Sequence, residues 1–455
     1  MEKIDELKKK KIDVPAWTDL ALEYDPAQHE IMTDTVTRRD RVKKDGIDRA
    51  SRITYGKQKL VVGQITQLAF TIPVMRIATP ENEEQEKQLE AINAIYRKTR
   101  IDALNIKRFK AFFGACEMAT IWYVEKKKNN DYGFESNLKL RCVSYSPMDT
   151  KFSRIEQAEI YPLFNEYGDM IALSFESKRE ENGIEVSYLE SYTDTEKTVY
   201  KMEKGKWLEQ TETTAVSIGK IPGVYIHRPL PIWEGTTNNI KEIEYTRSRQ
   251  SDILRKNSAP VMKVVGSLIN ADDAPTSDQA REVYQLKDGG NIDYVKPPVD
   301  HLATKAHIDD LKETIDEELQ IPNLSVENVK TFGASGVARE HLLTNAHLKI
   351  GEEQGDILEF LDRECNVIKA FLKLMNPAWA NTIDDLEIEH HLTPFVMQDE
   401  AKEIDTLVKA TGKSIMSQRT AITRAGYAKD VDDEIRQIRE DEGVESQNDL
   451  FNPTF

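Results

Sequence analysis

Two short glycine-bearing fragments come closest to the spacing of a nucleotide-binding or nucleophilic site. The fragment TGKS at 411–414 ends like a phosphate-binding loop, but Leu407 occupies the position of the first glycine of such a loop. Because the backbone cradle needs that glycine, we predict no nucleotide site there. The fragment GASG at 333–336 lacks the GxSxG spacing and follows no strand pattern, so it does not predict a nucleophile elbow.

Histidines and cysteines are the candidate metal ligands. His390 and His391 are adjacent in a strand pattern and therefore face opposite sides, whereas His341 and His347 are six residues apart on a helix pattern. Neither spacing favours joint metal binding. The cysteines lie in apolar runs without CxxC spacing, which favours buried free thiols over disulfides or zinc. They are Cys116, Cys142 and Cys365. We therefore expect no catalytic residues, no metal, no cofactor and no enzymatic activity.

Composition describes a chain with enough apolar material for real cores. Its 455 residues permit two to four domains, and 39% are hydrophobic while 31% are charged. The formal net charge is -17, whereas a protein that neutralises DNA phosphates needs a basic surface. We therefore expect DNA to slide past this protein rather than bind tightly. No run of 18 apolar residues occurs in the sequence, so we expect no membrane span. The first residues are charged and have no apolar core, so we expect no signal peptide.

The elements that would position any site centre on a helix, a loop and a second helix. Apolar residues recur every three or four positions in 304–319, which predicts a one-sided helix that Pro322 ends. The next segment, NLSVENVKTFGASG at 323–336, has no period and two glycines, so it predicts a loop. Ser335 is placed to cap the helix that follows.

That following helix is unusually long. Its apolar seam keeps a helical period for about ten turns, until Asn376 and Pro377. At 1.5 Å per residue the helix would be roughly 60 Å long, which exceeds the width of a small domain. This length favours an elongated subunit that spans two layers of an assembly.

The remaining segments predict an α+β body. The basic cluster at 37–52 is interpreted as the solvated face of a helix. A polar helix at 237–257 has a thin apolar stripe and therefore needs neighbours, and a small αβ module separates it from the acidic helix. The other predicted elements are helices at 83–98, 101–113, 277–285, 399–410 and 430–440, a helix that begins at Ser417, a β-rich block at 138–230, and strands at 116–124, 260–270, 291–298 and 387–395.

Four passages, in this order and spacing, resemble the portal proteins of tailed bacteriophages, the head-to-tail connectors, of the siphophage type. The passages are SRITYGKQKLVVGQITQLAFTIPV at 51–74, IPGVYIHRP at 221–229, LQIPNLSVENVKTFGASGVAREHLL at 319–343 and GKSIMSQRTAITRAGYAKDVDDEIRQIREDEG at 412–443. The third is similar to the second stem helix, tunnel loop and long helix of that family, and the fourth to its helical crown. The chain departs from the family in its compact clip and short tail.

The resemblance implies a ring, usually a homododecamer, at one capsid vertex, through which DNA is packaged and later ejected. The implied parts are a wing at 1–234, a first stem helix at 235–258, a clip at 259–301, a second stem helix at 302–322, a tunnel loop at 323–336, a long helix with a return to the wing at 337–395, and a crown with the C-terminal tail at 396–455. Two alternatives remain open from the residues: another head-completion, adaptor or minor capsid protein, and an enzyme whose site escapes detection.

The resemblance also implies partners and site residues. The implied partners are further copies of the chain, double-stranded DNA, the terminase motor, head-completion or adaptor proteins, and the major capsid and scaffolding proteins. The DNA is held weakly and without sequence specificity. The resemblance implies a place in the virion, assembly in the host cytoplasm and no membrane partner. The implied channel-loop site consists of Val326, Glu327, Asn328, Val329, Lys330, Thr331 and Phe332. The stem is represented by basic Lys241, Arg247 and Arg249 and by acidic Asp309, Asp310, Glu313 and Glu317, which we expect to approach each other across subunit boundaries.

Overall fold

A computed structural model describes residues 2–10, 12–43, 46–149, 154–210, 214–216, 218–257, 261–265, 290–295, 301–322, 336–395, 400–413, 415–425 and 434–440. The chain divides into two units, one formed by residues 1–321 with 346–395 and the other by residues 322–345 with 396–455. Within the described ranges, no helix has the length and apolar character that crossing a membrane requires. Helices and strands are mixed throughout the first unit, as an α+β chain requires.

The first fifty residues contain short helices and one hairpin. These elements are α1 (Glu2–Leu7), α2 (Trp17–Tyr24), α3 (Glu30–Thr33), β1 (Arg41–Lys43) and β2 (Gly46–Asp48), and the two strands pair antiparallel. The interpretation of the basic cluster at 37–52 as a helix face is therefore wrong. The physical reason lies at Gly46, the first residue of β2, whose φ of 139° favours glycine and does not occur in a helix.

Three helices pack together after the hairpin. They are α4 (Lys57–Phe70), α5 (Glu83–Thr99) and α6 (Ile101–Ala115), with the short strand β3 (Met75–Ile77) between the first two. The side chain of Asn82 caps α5 by accepting a hydrogen bond from the N–H of Gln85 at 2.9 Å. Phe70 of α4 stacks on Phe109 of α6, with ring centroids 4.3 Å apart. The helices predicted at 83–98 and 101–113 are thus confirmed.

Two sheets, antiparallel except for one strand pair, confirm the β-rich block. Their strands are β4 (Glu117–Asn129), β5 (Ser136–Ser146), β6 (Ile155–Gln157), β7 (Glu159–Phe164), β8 (Met170–Glu181), β9 (Ile184–Tyr192), β10 (Glu196–Glu203), β11 (Lys206–Glu209), β12 (Thr214–Ala215) and β13 (Gly223–His227). One sheet has the order β13-β4-β5-β6, in which only β5 and β6 pair parallel. The other has the order β11-β10-β9-β8-β7, and β12 pairs with β10.

The two sheets share an apolar core. Tyr145 of the first sheet stacks on Phe175 of the second, with ring centroids 4.1 Å apart and both side chains buried. Gly223 lies opposite Ile121 in the register of β13 and β4. A Cβ atom at Gly223 would overlap the end of the Ile121 side chain, so a larger residue here would force that buried side chain to move.

A helix pair follows the sheets. It consists of α7 (Thr237–Asn257) and α8 (His301–Glu318), and between them in sequence the strands β14 (Val261–Val265) and β15 (Asn291–Val295) pair antiparallel. Both helices and both strands confirm the sequence-based predictions. The helix predicted at 277–285 lies outside the described residues.

The long helix is α9 (Gly336–Met375), which has 40 residues and is therefore about 60 Å long. The Asn376 N–H makes the last helical hydrogen bond, to the Leu372 carbonyl. The helix ends where predicted because Pro377 has no N–H to continue the series, and it begins a 3-10 turn instead. The chain then returns through β16 (Glu389–His391), which pairs antiparallel with β3. On β16, His390 is buried and His391 is exposed, which confirms that they face opposite sides.

The second unit contains short helices in its described residues. They are α10 (Glu400–Gly412) and α11 (Gln418–Ala425), and residues 434–440 are also helical. The Ser417 hydroxyl accepts a hydrogen bond from the N–H of Thr420 at 3.2 Å, so the predicted cap of α11 is confirmed. The three cysteines of the first unit are buried free thiols, as predicted.

Candidate functional site: the helix pair α7 and α8 with its arm

The polar helix α7 is covered by residues 34–56 of the same chain, which we call the arm. Three side chains on one face of α7, four residues apart, accept hydrogen bonds from three alternate backbone N–H groups of the arm. The spacings match, because four helical residues rise 6.0 Å and two extended residues rise about 6.6 Å. The pairs are Ser51 N–H to Asp252 at 2.9 Å, Ile53 N–H to Ser248 at 2.9 Å and Tyr55 N–H to Glu244 at 2.6 Å.

A buried histidine completes one end of this ladder. His29 Nδ1 lies 2.6 Å from the Glu244 carboxylate, and its Nε2 lies 2.8 Å from the Glu23 carbonyl oxygen. Both ring nitrogens therefore face acceptors, which suits the protonated ring. Burial disfavours that charge, but the hydrogen bond and negative charge of Glu244 outweigh burial and raise the pKa of His29 above its ordinary value.

The other end of the ladder is anionic and surrounded by arginines. Asp252 accepts hydrogen bonds from Arg38 of the arm and, at 3.1 Å, from Arg255 of α7. Burial opposes ionisation, but the hydrogen bonds from Ser51 and Arg38 together with the charge of Arg38 lower the pKa of Asp252. The arm is thus fixed to α7 by charge-assisted hydrogen bonds at both ends, which are stronger than neutral ones.

Helix α8 buries one face and exposes an acidic one. Ile308, Ile315 and Leu319 are buried, and Asp316 forms an ion pair with the buried Lys57 at the start of α4. The predicted acidic residues Asp309, Asp310, Glu313 and Glu317 are all exposed. The structure therefore places all four on the face of α8 that its own chain leaves open to solvent.

The three predicted basic residues of α7 have different surroundings. Lys241 forms an ion pair with Glu30 at 2.9 Å, and the Arg247 guanidinium lies 5.0 Å from the centroid of the Tyr55 ring. Arg249 is exposed and, within the described part of the chain, forms no ion pair. Arg247 also lowers the pKa of Asp309, although the hydrogen bond from Lys312 is the larger cause. Two of the three cations thus have partners in their own chain.

The channel-loop residues 326–332 lie outside the described residues. Reasoning from sequence missed the arm, although one signal was available. Glu244, Ser248 and Asp252 recur every four residues, which places three acceptors on one face of α7. A stripe of acceptors on a helix with little apolar surface indicates a polar partner such as a backbone segment.

The sequence matches a known family of phage proteins. A model of the family described as phage portal protein, SPP1 Gp6-like, matches residues 6–448. Among solved structures, the neck of an empty GTA particle, computed with C6 symmetry, has a TM-score of 0.42 and 10% sequence identity over 92% of this chain and 95% of that chain. A comparison with curated proteins finds no match. The resemblance that the four sequence passages indicate is confirmed by the family model, which spans far more than half of the sequence. The chain therefore belongs to the SPP1 Gp6-like family of phage portal proteins.

Proposed function

We propose that this portal protein forms a closed ring of about twelve copies, through which double-stranded DNA is packaged and later ejected. The observation that carries the proposal is the family match over residues 6–448, which is also the ground for a connector role in a phage-like head. The net charge of -17 supports a channel that DNA passes without tight binding. The role is structural rather than catalytic.

The parts of the ring subunit follow the order of the elements. The wing is 1–234, the stem helices are 235–258 and 302–322, and the clip is 259–301. Helices α7 and α8 lie in the two stem segments, and the paired strands β14 and β15 lie in the clip segment, which supports this division. The tunnel loop is 323–336, the long helix with the return to the wing is 337–395, and the crown with the tail is 396–455.

The stem contributes contacts between subunits. The exposed carboxylates of α8, from Asp309 to Glu317, face the basic side of a neighbouring α7. Of the three predicted cations of α7, Arg249 is the one that is exposed and, within the described residues, forms no ion pair, so it is the first candidate for this contact. Such exposed pairs set orientation more than stability, because each contributes about 0 to 1 kcal/mol.

The ring occupies one vertex of the capsid in the virion and assembles in the host cytoplasm. Its partners are the major capsid and scaffolding proteins during assembly, the terminase motor during packaging, and the head-completion or adaptor proteins afterwards. Membership of the portal family supports the ring and its attachment to other phage proteins.

The test is the mass and shape of the purified protein. Twelve chains of 52.1 kDa amount to about 625 kDa, so native mass spectrometry is expected to show a species near that mass. Negative-stain images are expected to show rings with a central hole. Only monomers or dimers at micromolar concentration, across several salt concentrations, would contradict the proposal.

A further inference from the structure

The arm presents a basic surface with an apolar centre. In its hairpin Val42 pairs with Ile47 across the two strands, and these side chains are 85% and 61% exposed. Arg39, Arg41 and Arg49 are exposed around them. An exposed apolar pair with charged side chains around it has the composition of an interaction surface, so this surface indicates a partner.

A small polar cavity lies beside the hairpin, where the arm meets the end of α7. Its volume is about 140 Å³, which is large enough for a carboxylate side chain. Its charged lining consists of the arginines Arg38, Arg39, Arg41, Arg49 and Arg255 and the carboxylates Asp48 and Asp252. Guanidinium groups outnumber carboxylates, so the cavity favours an anionic group from outside.

The exposed face of α8 has the opposite charge. At about 100° per residue, the four side chains Asp309, Asp310, Glu313 and Glu317 fall within about 100° of the helix circumference, opposite Ile308 and Ile315. Within the described residues Asp309 pairs with Lys312 at 2.8 Å, and none of the four forms an ion pair with an arginine of the arm. The complementary surfaces of one chain therefore do not meet each other.

A second copy of the chain is the occupant that these observations favour. A contact between two different surfaces of the same chain is heterologous, and its repetition closes a ring when the rotation divides the circle. Double-stranded DNA fits this surface less well for two reasons. DNA phosphates do not bury the exposed apolar side chains of Val42 and Ile47, and the acidic chain as a whole repels phosphates.

We propose that the basic surface of the arm docks on the acidic face of α8 of the next copy, with carboxylates of that face entering the arginine-lined cavity. The inference rests on the proposed ring and adds to it the surface that joins neighbours. It makes the arm, in addition to Arg249, the source of the cations that meet α8.

Charge reversal with rescue tests the contact in the full-length protein. We expect Arg41→Glu with Arg49→Glu, or Asp310→Lys with Glu313→Lys, to convert rings to monomers at about 0.15 M salt, where close charges still interact. The four substitutions together are expected to restore rings. The matched control is Lys126→Glu with Lys127→Glu, which reverses two exposed charges of β4 and is expected to leave rings intact. Circular dichroism checks that each variant folds.

Rings that persist in both reversed variants would overturn the inference while leaving the ring proposal in place. Failure of the combined variant to restore rings, with folding intact, would also overturn it. Wild-type protein that forms no rings would instead contradict the proposed function itself. If the arm reversal left rings intact but weakened binding of a labelled DNA duplex in fluorescence anisotropy, the arm would be a DNA-binding surface and not a subunit contact.

Disulfide trapping gives a second measurement that does not depend on loss of assembly. Single variants Arg41→Cys and Glu313→Cys are mixed and oxidised, and a covalent dimer is expected because the two positions face each other across subunits. Mixing Arg41→Cys with Lys127→Cys is the control and is expected to give no dimer. The native cysteines are buried, so they do not compete in this reaction. Equal yields from both mixtures would contradict the contact.

Discussion

Glu364 of α9 and Arg108 of α6 form a fully buried ion pair within the first unit. The guanidinium donates to both carboxylate oxygens, at 2.6 and 2.7 Å, and the Trp122 indole N–H donates to the same carboxylate at 3.0 Å. Arg108 also donates to the Asn105 side chain at 2.9 Å. Burial would lower the pKa of Arg108, but the adjacent Glu364 outweighs it and raises the pKa, so the guanidinium stays charged. A single carboxylate thus connects the long helix to α6 and β4.

Removing that carboxylate is expected to cost far more than removing a surface one. Glu364→Gln leaves a buried guanidinium without its counter-charge and should lower the free energy of unfolding by about 3 to 5 kcal/mol. Glu359→Gln, which removes an exposed pair with Arg363, should cost less than about 1 kcal/mol. Urea unfolding measures both. Equal losses of unfolding free energy in the two variants would show that the buried ion pair stabilises the fold no more than the exposed pair does.

The buried His29 predicts a pH dependence of stability. Its folded-state pKa is raised by Glu244 against the opposing effect of burial. The protonated ring therefore contributes stability that is fully present below the ordinary pKa of about 6.5 and is lost as the pH rises through the raised value. The melting temperature of the wild type should fall over that window, and His29→Gln should flatten the fall. The control variant His391→Gln changes an exposed histidine and should show the same fall in melting temperature as the wild type.

At the scale of elements, α7 depends on the arm for its polar face. The helix has few buried apolar residues, among them Ile240 and Ile243, so burial of apolar area stabilises it little. The three hydrogen bonds to the arm are accepted by buried polar side chains of α7, which need partners when they are removed from water. The arm and α7 are therefore expected to be stable or unstable together.

Loss of the central hydrogen bond should loosen the arm. Ser248→Ala removes the acceptor of the Ile53 N–H from a fully buried position, which should cost about 1 to 3 kcal/mol. Hydrogen exchange of the Ile53 amide should become faster. Ser251→Ala changes a neighbouring serine of α7 that accepts no amide from the described residues of the arm, and it should leave that exchange rate as it is. An unchanged rate in both variants would show that the ladder does not hold the arm.

At the scale of the whole molecule, the proposed ring places many acidic chains around DNA. A net charge of -17 per copy repels phosphates, so passage depends on the few groups that reach the DNA. In the proposed channel loop Lys330 is the one cation and Glu327 the one anion of the sequence 323–336. A nearly neutral loop should contact phosphates loosely and with little dependence on salt.

Replacing residues 326–330 by glycine and serine should leave rings intact while lowering DNA packaging or retention. The reason is that, in the proposed ring, these side chains are the ones expected to contact DNA, whereas the proposed subunit contacts lie in other segments. Ring integrity is measured by negative stain, and packaging by the amount of nuclease-protected, full-length DNA in particles. Normal packaging with this loop would show that it merely connects two helices.

The sequence by itself determined the helices and strands that the structure confirms. Apolar residues at helical period, Pro322 after α8 and Pro377 after α9 set helix positions, because period and proline act within a few residues. The alternation of apolar and polar residues likewise determined the strands, because it also acts within a few residues. Burial of the three thiols also followed from the apolar runs around them. The order of the four quoted passages indicated the portal family, which the family model confirms.

Only the tertiary structure decided which charged groups meet. Arg108 and Glu364 are 256 positions apart, and Arg38 and Asp252 are 214 apart, so no local period relates them. The same holds for Lys241, whose partner Glu30 lies in the first fifty residues. Such pairs form because packing of the helices and sheets brings distant segments together, and a charge taken from water needs a close partner. The partners of the cations of α7 therefore follow from packing rather than from spacing along the chain.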